Sequence, residues 1–181
     1  MLSLVRTQRD YYKQSIHDLE KAAENLQKLI ETLRQDRVEE ESLFVRMKGK
    51  LLVPVSGKVE RRFGSYTDPT LRARINQKGI DFRAPSGAPI KAVFDGKVVH
   101  SGWFPGYGKI LIVDHGGGYF TLYAHTSKIY KQVGDNVTVG ESIGEVGDTG
   151  SLKGAYLYFE LRHRGISQDP SPWFVEERTS P

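Results

Sequence analysis

Apolar residues at Tyr12, Ile16, Leu19, Ala23, Leu26, Ile30 and Leu33 recur in steps of 4, 3, 4, 3, 4 and 3. That is the seam of a coiled-coil helix. Charged and polar residues fill the intervals, among them Lys13, His17, Asp18, Glu20, Lys21 and Glu24. The seam fails at Arg37 and Glu40, and apolar positions resume at Leu43, Phe44 and Met47. The pattern predicts a helical segment over residues 1–48 with a break near 36–41. At ~1.5 Å per residue, such a helix would run about 65 Å. A compact domain covers only part of that length, so the stripe is expected to need a partner helix. That helix would come from its own upstream chain, a second copy or another protein.

From Lys50 the period changes from 3.6 to 2. Short β-rich runs (PIKAVF, GKVVHSG, KILIVDH, YFTLYAH, NVTV, ESIGEV and AYLYFELR) alternate with glycine-containing turns. They predict an all-β domain over 49–181, a sandwich or open barrel. Segments 87–99 and 134–146 echo one another as strand, tight turn, strand. Biotin and lipoate carrier domains have similar turns but display a lysine at a hairpin tip. Lys97 sits at the wrong place for that.

Composition sharpens the boundary. All 19 glycines and all 8 prolines lie at or after Gly49, as expected where a helix gives way to turns. Residues 1–49 hold 9 basic and 9 acidic side chains, and residues 50–181 hold 17 and 13, so the whole net charge of +4 belongs to the β domain. No run of basic residues interleaves with aromatics, which argues against nucleic acid. The chain has no cysteine, which excludes disulfides and thiolate metal sites. No apolar run reaches the ~18–20 residues of a membrane span, and MLSLV is too short for the apolar core of a signal peptide. The helical pattern is already under way at the first residues. That favours a piece of a longer exported protein over a cytosolic one.

In AYLYFELR, period 2 puts Leu157, Phe159 and Leu161 on one face and Tyr156, Tyr158, Glu160 and Arg162 on the other. The first face reads as core. The second carries two phenols, a carboxylate and a guanidinium, types that favour recognition. Tyr158 and Arg162 should lie roughly 13 Å apart along the strand. Tyr107, in PGYGK, is either a turn aromatic or a groove residue. Trp103 and Trp173 read as packing residues and His115 as a turn residue. No role is assigned to His163.

The ordered series QKGID (77–81), YAH (123–125) and YLYFE (156–160) resembles the lysostaphin/LytM-type zinc endopeptidases, which cut peptidoglycan cross-bridges. The resemblance runs from about Leu52 to Trp173. It implies an all-β LytM-like fold with a duplicated hybrid motif. Active members carry H-x-G-x-D, a histidine after Y-A, and H-x-H before F-E. Zinc is held by the first histidine, the aspartate and the last histidine, and the other two histidines serve the water and the transition state. By that correspondence Gln77 replaces the first ligand and Tyr158 the last, Tyr156 replaces a helper histidine, and Asp81 and His125 are kept. An amide oxygen is a poor zinc donor, and a phenol with a pKa near ~10 must first lose its proton. The expectation is therefore no bound metal, no cofactor and no catalysis.

The coiled coil followed by such a domain resembles the EnvC-type murein hydrolase activators, a degenerate branch. Segments 47–64 and 157–174 resemble the two ends of that domain. This resemblance implies a periplasmic, cell-envelope protein that binds and switches on a peptidoglycan amidase during daughter-cell separation, with the coiled coil controlling access to the groove. Lys78, Tyr107, Tyr158 and Arg162 are the expected partner-binding residues, and peptidoglycan is a further candidate ligand. Two alternatives stand: a zinc endopeptidase with altered ligands, and a passive peptidoglycan-binding scaffold.

Overall fold

The computed structural model describes residues 2–34, 43–69 and 72–175. A helix α1 (Leu2–Arg34) is followed by a 3-10 turn (Leu43–Met47). Twelve strands follow among the described residues: β1 (Lys58–Arg61), β2 (Gly64–Asp68), β3 (Ala73–Gln77), β4 (Ile80–Arg83), β5 (Pro89–Lys91), β6 (Gly96–Phe104), β7 (Gly108–Asp114), β8 (Tyr119–Ile129), β9 (Asn136–Val137), β10 (Ser142–Val146), β11 (Leu157–His163) and β12 (Ile166–Gln168). The expected break near 36–41 lies outside the described residues.

The main sheet runs β1-β4-β11-β8-β7-β6-β9, while β10 bridges β5 and β8. All of its strand pairs are antiparallel. β2 and β3 form a separate two-stranded ribbon. The internal echo has a structural meaning. The first strand of one copy pairs with the second strand of the other, as β5 with β10 and β9 with β6. Each copy thus pairs its strands with those of the other rather than within itself.

The long central strands are buried on both faces, so their alternation sorts residues into two cores. One holds Leu111, Val113, Tyr123, Leu157, Phe159 and Leu161, together with Phe44 and Trp173. Phe44, read from sequence as part of the helix, instead packs in this domain core: its ring lies 5.0 Å from Tyr119 and 5.2 Å from Trp173. The other core holds Ile110, Ile112, Phe120, Leu122, Ala124 and Tyr158, and it is closed by Ala22, Leu26 and Ile30 of α1.

This changes the reading of the helix. The second half of its stripe packs on the β-sheet, with Leu26 and Ile30 fully buried. The buried face runs through Ala22, Leu26 and Ile30, with Ala22 taking the place expected of Ala23. A four-residue step keeps one side of an α-helix turned to a flat sheet, where a 3.5-residue seam would follow a second helix. The first half stays uncovered, with Tyr12 and Leu19 exposed. The approach is close at one point. A Cβ on Gly106, whose φ is +82°, would lie 2.4 Å from the Cβ of Ala22.

Candidate functional site

β11 lies between β4 and β8, and its register gathers the site. Tyr158 stands opposite Asp81 on one side and Ala124 on the other. Gln77 and Asp81 sit at the β3–β4 corner. Gly79 is required there, because a Cβ would approach the Phe159 carbonyl oxygen to 2.3 Å. His125 is held in β8 at φ 61°, a backbone region that costs a non-glycine residue energy and is often found at functional positions.

Asp81 is buried and both of its oxygens are engaged. Oδ1 accepts from Gln77 Nε2 at 2.9 Å, and Oδ2 accepts from Lys153 Nζ at 2.7 Å. Lys153 also donates to Glu60 Oε2 at 2.7 Å, and its ammonium lies 4.1 Å from the centre of the Tyr156 ring. Lys153, then Arg83, holds the Glu60 carboxyl below its ordinary range. The His125 Nδ1 lies 2.8 Å from the Thr149 carbonyl oxygen. A carbonyl only accepts, so Nδ1 carries the proton, and Nε2 accepts from the Tyr156 hydroxyl at 2.7 Å. Burial lowers the His125 pKa against the opposing pull of that carbonyl. Burial, then the charge of Asp81, pushes the Tyr156 phenol further up.

This donor set does not fit a catalytic zinc. Gln77 offers Asp81 its amide N–H, the Nε2 lone pair of His125 is spent on Tyr156, and a lysine ammonium already faces Asp81. Burial, then Glu160, raises the Tyr158 phenol well above its ordinary value, so it is a poorer ligand than a free tyrosine. Among the described residues no three His, Cys, Asp or Glu side chains come together as a metal-holding group.

Gln77, Lys78, Asp81, Tyr107, His125, Tyr156 and Tyr158 line one cleft of about 620 Å³. Its other wall is the middle of α1, with Ile16, Leu19, Glu20 and Glu24, and Arg61 and Arg74 face it from the β1–β3 side. Arg162 departs from expectation. It shares the register of Tyr158 but is only 1% exposed, beneath α1. It donates to Glu160 at 2.6 Å and to Gln27 of the helix at 2.5 Å, while its Nη2 is buried without a partner. Glu160 also accepts from the Tyr158 hydroxyl at 2.5 Å. The strip expected to be an open groove face is half covered, because the apolar stripe of α1 closes over it. The Tyr107 ring lies 5.7 Å from that of Tyr158, in the second core.

Sequence reasoning missed Lys153, Glu60 and Gln27. Lys153 is a lone lysine in a glycine-rich turn, 72 residues from Asp81 and 93 from Glu60, and no local pattern joins them. His115, read as a turn residue, is buried. Its Nδ1 lies 2.7 Å from the Asp95 carbonyl oxygen and its Nε2 2.7 Å from the Thr121 hydroxyl. Trp173 is a core residue, while Trp103 is 61% exposed.

The profile described as Peptidase family M23 matches residues 75–170. The murein hydrolase activator EnvC of Escherichia coli is 34% identical over 126 residues, covering 70% of this chain and 29% of that protein. A zinc-containing peptidase from Vibrio cholerae superposes with a TM-score of 0.62 at 31% identity, over 66% of this chain and 38% of the other. The catalytic domain of lysostaphin from Staphylococcus simulans gives 0.57 at 30%, over 65% and 91%. The match thus spans under a third of the length of that activator.

Proposed function

The chain belongs to peptidase family M23, and from that premise we propose that it is a non-catalytic, periplasmic activator of a peptidoglycan amidase, held closed by its own helix. One observation carries the reading: an amphipathic helix already lies on the face that a partner helix would need. Ala22, Leu26 and Ile30 of α1 cover the Tyr107–Tyr158 surface, and Gln27 takes the guanidinium of Arg162. Acidic Glu20 and Glu24 line the cleft that Arg61, Arg74 and Lys78 share. A face built to hold one amphipathic helix can exchange it for another.

In this reading Tyr158 and Tyr107 supply the flat apolar contact, Lys78 the basic rim, and Arg162 a fork for a carboxylate once Gln27 leaves. The name of the Escherichia coli relative, an activator of murein hydrolases, supports the partner class. The donor set around Asp81 supports the absence of catalysis. The exposed half of α1, with Tyr12 and Leu19, is the segment that would meet a further helix, of its own upstream chain or of a second copy.

The test is turnover of purified cell-wall sacculi by the chain alone, and by a candidate amidase with and without it. The expected result is no release of fragments by the chain and faster release by the amidase in its presence. Release by the chain alone, abolished by Asp81→Ala, would restore the endopeptidase reading. Binding to sacculi without any effect on an amidase would leave only the scaffold.

A further inference from the structure

We propose that the ammonium of Lys153 is the resident cation of this site: a tethered counter-ion that stands against Asp81, ties three separate elements together and keeps divalent metal out. The inference stands apart from the identity of any partner.

The need for a cation is set by Asp81. Its carboxylate is 3% exposed, and an ionised group that deep is costly unless a charge or several hydrogen bonds compensate it. Gln77 supplies one neutral hydrogen bond. The charge comes from Lys153, and the geometry uses the whole ammonium. One N–H goes to Asp81 and one to Glu60, each at 2.7 Å, and the face of the Tyr156 ring lies 4.1 Å away. Two carboxylates and an aromatic face satisfy a three-donor cation. The tie joins β1 through Glu60, β4 through Asp81 and the turn before β11 through Lys153 itself. A metal ion bound by side chains from several strands would do the same structural work.

The turn that delivers Lys153 is itself fixed. Gly150 lies so close to Gly108 that a Cβ on it would approach the Gly108 nitrogen to 2.6 Å. Thr149 Oγ1 accepts from the Lys109 N–H at 3.0 Å and donates to the Thr126 carbonyl at 2.7 Å. Ser151 Oγ accepts from the Lys153 N–H and donates to the Gly154 carbonyl. The same turn supplies the Thr149 carbonyl that sets the tautomer of His125. One loop therefore places the counter-ion and also orients the imidazole, whose free nitrogen holds Tyr156. Lys153 is a positioning residue: it acts on the cleft through Asp81 and Tyr156.

The test is a charge cycle read by thermal melting. Lys153→Met keeps the stem and removes the charge, and should lower Tm by about 5–10 °C, because a buried carboxylate loses its cation. Asp81→Asn alone should also lower Tm, since Lys153 loses a partner. Added to Lys153→Met, however, Asp81→Asn should raise Tm, because it removes the stranded charge. That reversal of sign is the expected result. If Asp81→Asn lowers Tm by the same amount in both backgrounds, Lys153 is ordinary packing and the proposal fails. A second arm needs no variant of Lys153. Zinc chloride at about ten equivalents should leave the Tm of the parent unchanged. A zinc-dependent rise that disappears in Asp81→Asn would mean that metal displaces the lysine, and would overturn the proposal even if Lys153→Met does not fold.

Discussion

Replacing both Leu26 and Ile30 by Asp should detach α1 while leaving the β domain folded. Each side chain is fully buried in the helix–sheet core, and such burial is worth about 1.5–3 kcal/mol. The pair therefore contributes about 3–6 kcal/mol to docking, and the new carboxylates would have to be desolvated as well. At about 1.4 kcal/mol per tenfold, the ratio of docked to released helix falls by at least 10²–10⁴-fold. The β domain survives because its main core contains no residue of α1. Limited trypsinolysis reads the release directly. Lys21 and Lys28 lie on the exposed side of a docked helix, resistant as long as the helix holds, and should be cut rapidly in the variant. Amidase activation should rise in parallel. A variant as resistant as the parent would show that this face does not hold the helix. A variant that is cut rapidly yet activates no better would show that the helix does not gate the surface.

Arg162→Ala should destabilise the chain by about 3–5 kcal/mol in urea unfolding, because Glu160 is left fully buried without its cation. Adding Glu160→Gln should recover much of the loss, and a neutral Arg162→Ala would refute the buried pair. Burial pushes the His115 imidazole down to about 4, below the ~6.5 of the unfolded chain. The neutral form is therefore favoured on folding: this stability is fully present above pH 6.5 and is lost as pH falls towards 4, by roughly 3 kcal/mol. Urea midpoints at pH 7 and pH 4.5 should show that decline in the parent, and less of it in His115→Gln. Restoring histidine at Gln77, Tyr156 and Tyr158 together should yield weak zinc uptake by elemental analysis, and stronger uptake once Lys153→Gln is added. Equal uptake with and without that fourth change would count against the tethered cation.

Much of the β domain could be read from local pattern, because a two-residue alternation reports directly which side of a strand meets the core. Leu157, Phe159 and Leu161 came out in the interior on that basis alone. The positions around Asp81 were legible as well, since the ordered motifs fix Gln77, His125, Tyr156 and Tyr158 relative to one another along the sheet. Three things were not. An apolar stripe on a helix states that something must cover it, but not whether that is a helix or a sheet, and the sheet face beneath α1 comes from strands 80–130 residues further on. The role of Lys153 likewise depends on two carboxylates brought to it only by the finished topology. Arg162 failed for a related reason: period 2 gave its face correctly, but whether a face is open depends on what lies on top of it.

The contact between Ala22 and Gly106 bears on how the helix can leave. These are the two smallest residues available, and there is no room for a Cβ on Gly106 beside that of Ala22. A slide of one turn in either direction would bring Asp18 or Leu26 over Gly106, each with side-chain atoms beyond the Cβ at which Ala22 ends. The close approach thus favours the register that sets Ala22 on Gly106 over its neighbours. Under the proposed gating, opening would then favour two positions, seated or clear, over a graded slide. A weak pull on the exposed end would build no partial response until it was enough to lift the whole segment clear.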